Sequence, residues 1–259
     1  PDLTARPDEI GYLSSALRRM TEQLYERIDA IESFAADVAH EIKNPLTSLR
    51  SAVETLRIAK TPEMQARLLL VIEKDVRRLD RLVTDISNAS RLDAELVREE
   101  MVRFDLRALI ETMADLNLSQ ADERDARILV SPGEAGLYIR GLEGRIGQVL
   151  QNLLGNALSF ASPKSSVTIS AYNTGSAIRV QVEDQGPGIP DENLGSIFER
   201  FYSERPDHEE FGNHSGLGLS ISRQIIEAHG GTIWAENVRP PNKSDTPPLG
   251  ARFIFELPT

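Results

Sequence analysis

His40-Glu41-Ile42-Lys43-Asn44-Pro45-Leu46 lies in a long run of helical periodicity, and its reading decides how the rest of the chain divides. His40 and Asn44 stand one helical turn apart and share a face. Beside that face an apolar series runs Ile31, Phe34, Val38, Ile42, Leu46, Leu49, Val53 and Leu56. A second series runs Ile72, Val76, Leu79, Val83 and Ile86 in alternating steps of four and three. Such spacing is the seam of a coiled coil or helical bundle. Lys60-Thr61-Pro62-Glu63 separates the two helices, with Thr61 as N-cap and Pro62 at the first helical position. Two helices with one narrow seam each cannot enclose a core, whereas two copies can form a four-helix bundle, so a homodimer is expected.

The seam residues turn inward and leave His40 toward solvent. A neutral imidazole nitrogen is a competent nucleophile toward a phosphoryl group. Glu41 can hold the other ring nitrogen's proton, and Asn44 can orient a water. Pro45 removes a backbone hydrogen bond inside the helix and is expected to bend it there, with no packing purpose visible in the sequence. A lone surface histidine beside a charge usually does nothing, so these seven residues gain their weight from motifs more than a hundred positions further along the chain.

After Arg98-Glu99-Glu100, which reads as a hinge, the periodicity changes. Strand-like runs at 127–130, 137–140, 167–172, 178–183, 232–236 and 252–257 alternate with helical stretches at about 106–120, 143–160 and 216–229. Interleaving of this kind points to a mixed sheet with helices on one face. The fold class is therefore α plus α/β.

Three motifs in this half suggest a nucleotide site. Asn152 and Asn156 share a face of an otherwise apolar helix, and a side-chain amide oxygen is a suitable ligand for Mg2+. Asp184-Gln185-Gly186-Pro187-Gly188-Ile189 ends a strand: the carboxylate can accept from an adenine amino group, and Gly186 and Gly188 let the backbone approach the base beside Ile189. Ser215-Gly216-Leu217-Gly218-Leu219 opens a helix, whose free N–H groups favour phosphate. Ser203–Glu210 forms a polar stretch able to cover a triphosphate, with Arg200 and Arg205 as candidate phosphate contacts. Each motif alone is a common turn or cap, but the three in this order are specific.

The whole chain resembles the bacterial two-component sensor histidine kinases, and its Tyr138–Asn156 stretch those of the alphaproteobacterial ChvG/ExoS/BvrS type. His40–Leu46 is similar to that family's H box, Asn152–Asn156 to its N box and Asp184–Gly188 to its G1 box. Ile197–Phe201 is similar to the F box and Gly216–Leu219 to the G2 box. Asp8-Glu9-Ile10-Gly11 with Leu13, Leu17 and Met20 resembles the second half of a HAMP signalling module. The resemblance implies four parts: a HAMP-like helix over 1–30, a dimerisation and histidine-phosphotransfer hairpin over 31–97, a linker over 98–103, and a Bergerat-type α/β-sandwich ATP domain over 104–259. It implies His40 as phosphoacceptor with Glu41 and Asn44 as helpers, ATP and Mg2+ as cofactors, Asn156 as the metal ligand and Asp184 as the adenine contact. It also implies a response regulator as partner and a parent protein in the inner membrane. Two departures stand out. Ser159 occupies the place of a basic residue common in relatives, and His214 replaces the usual first glycine of the G2 box.

Composition limits the alternatives. The 259 residues suffice for two domains, and a net charge of −11 argues against a broad nucleic-acid-binding face. The absence of cysteine excludes disulfides and zinc–thiolate sites. No apolar run reaches the roughly 18–20 residues that span a bilayer, and the start at Pro1 without methionine suggests a piece of a longer protein. An ATPase machine of the gyrase or Hsp90 kind is disfavoured by the amide of Asn152, where those proteins are expected to carry a carboxylate base. A scaffold that binds ATP without transferring phosphate would differ from a kinase by lack of turnover.

Overall fold

The computed structural model describes residues 8–131, 136–202, 216–240 and 246–259, with the side chains of 26, 27 and 91–98 also outside the description. The chain divides into two compact units, Pro1–Leu82 and Val83–Thr259.

The first unit is built on α1 (Glu9–Leu56) and the start of α2 (Pro62–Arg98). Asp8 begins α1 by accepting the Gly11 N–H at 3.1 Å, which satisfies one of the donors left free at a helix start. Thr61 does the same for the Met64 N–H of α2 at 3.3 Å, with Pro62 next, as the sequence indicated. The apolar band of α1 is wider than one seam. Pro45 and Ala52 are buried and Phe34, Val38 and Leu49 half-buried, while Ile31, Leu46 and Val53 are 59, 50 and 40% exposed. In α2, Leu82 is fully buried but Val76 and Val83 are exposed. The predicted series thus belongs to two adjoining stripes, only one of which is covered within a single chain. Pro45 corrects the sequence reading: its ring is buried and so has a packing purpose. Helix α1 runs through it without a break, although the Glu41 carbonyl loses its i+4 donor.

The second unit carries a five-stranded sheet in the order β2-β4-β5-β7-β6, where β2 (Arg127–Ser131) runs parallel to β4 (Ser166–Asn173). The pairs of β4 with β5 (Ala177–Glu183), β5 with β7 (Gly250–Pro258) and β7 with β6 (Thr232–Val238) are antiparallel. A separate ribbon pairs β1 (Val102–Asp105) with β3 (Tyr138–Gly141). Alternation sets the faces. Val167, Ile169 and Ala171 of β4 are buried with Ile178, Val180 and Val182 of β5, beneath α5 (Glu143–Phe160) and α6 (Gly218–Ala228). Helix α5 is the centre of the core, with Ile146, Val149, Leu150, Leu153, Leu154, Ala157 and Leu158 all without exposed surface.

Three local readings change. β1 starts inside the span expected to be a linker; it exists because Phe104 is buried and the chain just beyond it is tied down, the Leu106 N–H donating to Leu137 O at 2.9 Å. The helix expected over 106–120 splits at Asn117 into α3 (Leu106–Leu116) and α4 (Leu118–Glu123). There the Asn117 and Gln151 amides exchange hydrogen bonds at 2.9 and 3.0 Å, tying α3 to α5. Helix α6 begins at Gly218 and not at 216.

Candidate functional site

In the helical unit His40 and Asn44 are both exposed, one turn apart on α1. Glu41 is half-buried and turned to the second helix: its Oε2 accepts from Arg78 at 2.9 Å. The two side chains are 24 and 22% exposed, shielded enough for the pair to hold a fixed geometry. The sequence expectation gave Glu41 to the imidazole. The structure places it on Arg78, a residue sequence reading missed. The available signal was a charged pair, Asp75 and Arg78, at inward positions between Ile72 and Leu82.

In the sheet unit Asp184 follows β5 and is 3% exposed. Its Oδ1 accepts the N–H groups of Gly186 at 2.8 Å and Ala251 at 3.1 Å. Among the described residues the second carboxylate oxygen takes no hydrogen bond. Burial pushes the Asp184 carboxyl above its ordinary range, against the two backbone donors that pull it down, and the neighbouring Glu183 adds to the rise. An ionised Asp184 is therefore short of one partner, and a donor such as an aromatic amino group fits that need. Gly250 makes the arrangement possible: a β-carbon there would overlap the Asp184 carbonyl. Sequence reading did not single out Gly250. Gly186 is buried, and Gly188 and Ile189 are half-buried along the loop that leaves Asp184.

Asn152 and Asn156 of α5 are both half-buried but differ in their partners. The Asn152 amide donates to Gly218 O at 3.0 Å and Ser222 Oγ at 3.2 Å, so it fastens α5 to the start of α6. Asn156 makes no hydrogen bond to any described residue, which leaves its amide oxygen open to a cation. That oxygen fits Mg2+, a hard ion that needs few protein ligands when phosphates and waters supply the rest. Ser159 is buried at 6% exposure and so presents nothing in place of the basic residue of relatives.

Helix α6 has Leu217 at its N-cap with no side-chain hydrogen bond, so among the described residues the N–H groups of Gly218 and Leu219 have no side-chain cap. Gly216, at φ +75°, accepts the Phe201 N–H at 2.9 Å and packs against its backbone; a β-carbon would meet Phe201 Cα at 2.8 Å. Upstream, Phe198 is buried edge-on to Phe253, with centroids 6.4 Å apart. Arg200 is exposed. Ser215, His214, Arg205 and the expected cover at 203–210 lie outside the described residues.

A buried acceptor at a strand end, an open amide on the core helix and an uncapped glycine-led helix occupy the sheet unit, and an exposed histidine occupies the other. Two family profiles match these same regions. His Kinase A (phospho-acceptor) covers residues 30–95, and the histidine kinase-, DNA gyrase B- and HSP90-like ATPase covers residues 141–259. The chain belongs to the histidine kinases.

Within that family it is 52 and 54% identical to the sensor protein ChvG of Rhizobium meliloti and of Agrobacterium fabrum, over the whole of this chain. It spans 45 and 44% of those relatives, a little under half their length. Among solved structures, the catalytic domain of the histidine kinase ThkA is 31% identical over 62% of this chain and 97% of its own, with a TM-score of 0.52. ThkA in complex with the response regulator TrrA is 29% identical over 90% of this chain and 63% of that chain, with a TM-score of 0.70. The histidine kinase fold is thus a helical region followed by an α/β-sandwich ATPase domain. No helix among the described residues is long and apolar enough to cross a membrane.

Proposed function

We propose that this histidine kinase transfers the γ-phosphoryl group of Mg-ATP to His40, in cis or in trans within a dimer, and passes it on to an aspartate of a response regulator. The observation that carries the reading is Asp184, a buried carboxylate with one oxygen fixed by two backbone donors and the other open. An adenine amino group supplies the missing donor and favours the ionised form.

Asn156 would hold Mg2+, which would supply positive charge to neutralise the phosphates. The uncapped N–H groups of Gly218 and Leu219 would meet phosphate oxygens. Gly186, Gly188 and Ile189 would border the base, while Gly216 and Leu217 would set the start of α6. Arg200 and Ser215 remain candidates for phosphate contact, and Asn152 serves by holding α5 against α6. At His40 a ring nitrogen forms the N–P bond as the bond from γ-phosphorus to the bridging oxygen breaks and ADP leaves. Glu41 exchanges Arg78 for the other ring N–H and steadies the charge that develops on the imidazole. Asn44 would orient the water that hydrolyses the phosphorylated regulator.

The exposed stripe Ile31, Leu46, Val53, Val76 and Val83 supports a homodimer that completes a four-helix bundle. We assign residues 1–30 to a HAMP-like helix, 31–97 to the phosphotransfer hairpin, 98–101 to the linker and 102–259, from the start of β1, to the ATP domain. The greater length of the ChvG relatives and the HAMP resemblance support a parent protein in the inner membrane. Nucleic acid is not a proposed partner.

The test is incubation of the protein with Mg2+ and γ-labelled ATP. Label that is lost in acid, survives alkali and disappears in His40→Gln is phosphohistidine. Label retained by His40→Gln overturns the assignment of the phosphoacceptor.

A further inference from the structure

The loop that leaves Asp184 is held at both ends by one rung of the sheet. At the near end, Ala251 of β7 donates its N–H to Asp184 Oδ1 at 3.1 Å. Directly opposite Ala251 in the β6–β7 ladder stands Asn237. Its side chain grips the far end of the loop through both backbone groups of one residue. Asn237 Oδ1 accepts the Ile189 N–H at 2.8 Å, and Nδ2 donates to Ile189 O at 2.6 Å. The same Nδ2 donates to Asp191 Oδ1 at 2.9 Å. Arg239, two residues along β6's exit, donates to both oxygens of Asp191 at 2.8 and 2.7 Å. Those donors hold the Asp191 carboxyl below its ordinary range, Arg239 foremost and Asn237 second.

Between the two anchors the chain has little freedom. Gly188, at φ +78°, lies under the Asn237 amide oxygen and the ring of Pro248, either of which a β-carbon would strike. Pro248 is itself fixed, because the next residue, Leu249, donates its N–H to Val238 O at 2.7 Å. A carboxamide is the side chain that suits this place: it offers one acceptor and two donors, all three of which are used here. A carboxylate would lose both donated bonds and face Asp191 with like charge.

We infer that Asn237, braced by Asp191 and Arg239, is a positioning residue that presets the Gly186–Ile189 loop for the nucleotide base. It touches no substrate; it removes the need to order the loop when the nucleotide arrives. The inference rests on the reading of Asp184 and its loop as the base site.

The experiment uses the full chain and Mg-ADP as probe, measured by calorimetry, together with KM and kcat for ATP in autophosphorylation. Asn237→Ala is expected to weaken Mg-ADP about 10-fold, or ~1.4 kcal/mol, and to raise KM by a similar factor while kcat stays within about 2-fold. Arg239→Ala, acting only through Asp191, is expected to raise KM about 3-fold, and the double variant to do no more than Asn237→Ala alone. Asp184→Asn runs alongside. If it binds Mg-ADP as well as the parent, the base-site reading itself falls. If it loses binding while Asn237→Ala binds normally, or lowers Tm and kcat with KM unmoved, the positioning role is overturned and the base site stands. Should Asn237→Ala not fold, an unchanged KM in Arg239→Ala overturns the proposal.

Discussion

Residues 9–90 and residues 102–258 treat their apolar side chains in opposite ways. In the sheet unit the large apolar groups of α5, β4, β5 and β7 are almost all buried, and the surface keeps scattered exceptions such as Leu116 and Leu129. In the helices, Ala52, Leu82 and Pro45 are buried, while Leu17, Met20, Ile31, Leu46, Val53, Leu69, Val76 and Val83 lie at 40% exposure or more. A sandwich encloses its own core, but a pair of helices has too little depth to do so. The sheet unit therefore has what it needs to fold and bind as one copy, and the helices need a second. The chemistry follows the same division. The proposed nucleotide site is built from groups buried or fixed by backbone, such as Asp184, whereas His40 and Asn44 are exposed on α1.

The largest effect should come from charging the uncovered stripe. In a twofold dimer Leu46→Glu acts in both copies, and each loses burial worth about 1.5–3 kcal/mol. Dimer dissociation should rise by roughly 10²–10⁴-fold, read by sedimentation across a dilution series, while Mg-ADP binding stays unchanged. A variant that remains as dimeric as the parent would mean that another face closes the bundle. Nucleotide affinity that falls with the dimer would break the comparison itself, because the sheet unit would then depend on its partner.

Next in size is Asp184→Asn, expected to weaken Mg-ADP by about 10²-fold through loss of a charge-assisted acceptor in a buried place. The same change should stabilise the nucleotide-free protein. Burial raises the folded-state pKa of Asp184 above its unfolded value of about 3.9. The folded state then holds its proton more tightly, so stability falls as pH rises from about 4 through the folded pKa, and the penalty is complete above it. Asn carries no such penalty. Thermal melts without nucleotide should show Asp184→Asn with the higher Tm at neutral pH and the gap closing toward pH 4. A lower Tm at neutral pH would refute the account of burial.

The two units also differ in how far their sequences could be read. Periodicity located both long helices and their boundary, because Thr61 and Pro62 act locally. It merged two stripes into one, since a step of three or four does not say which neighbour covers which edge. The strands of the sheet followed from alternation, and α5 from its unbroken apolar face. β1 did not, for a four-residue strand next to a charged run has too few residues to show a period. Among the proposed site residues, Asp184 and Asn156 were legible from motif spacing, and His40 from its place on the helix. Arg78, Gly250 and Asn237 were not. Each matters through a partner at least 37 residues away, and a contact at that distance leaves no mark in local pattern.

The smallest expected effect concerns the ion pair of Glu41 with Arg78, which joins α1 to α2 beside the histidine. If Glu41 must leave Arg78 to steady the His40 ring, the ion pair competes with catalysis. Arg78→Ala removes the competitor and should raise the autophosphorylation rate about 2–3-fold at saturating ATP. It should also lower the stability of the helical unit by ~1 kcal/mol, as fits a partly shielded pair. Glu41→Gln separates the two consequences: it removes the charge from both roles and should lower the rate while costing similar stability. The sheet unit's affinity for Mg-ADP should not move in either variant, because the pair is built from α1 and α2 alone. A rate that falls in Arg78→Ala as it does in Glu41→Gln would mean that the guanidinium supports the reaction, and Glu41 would then act from where it stands.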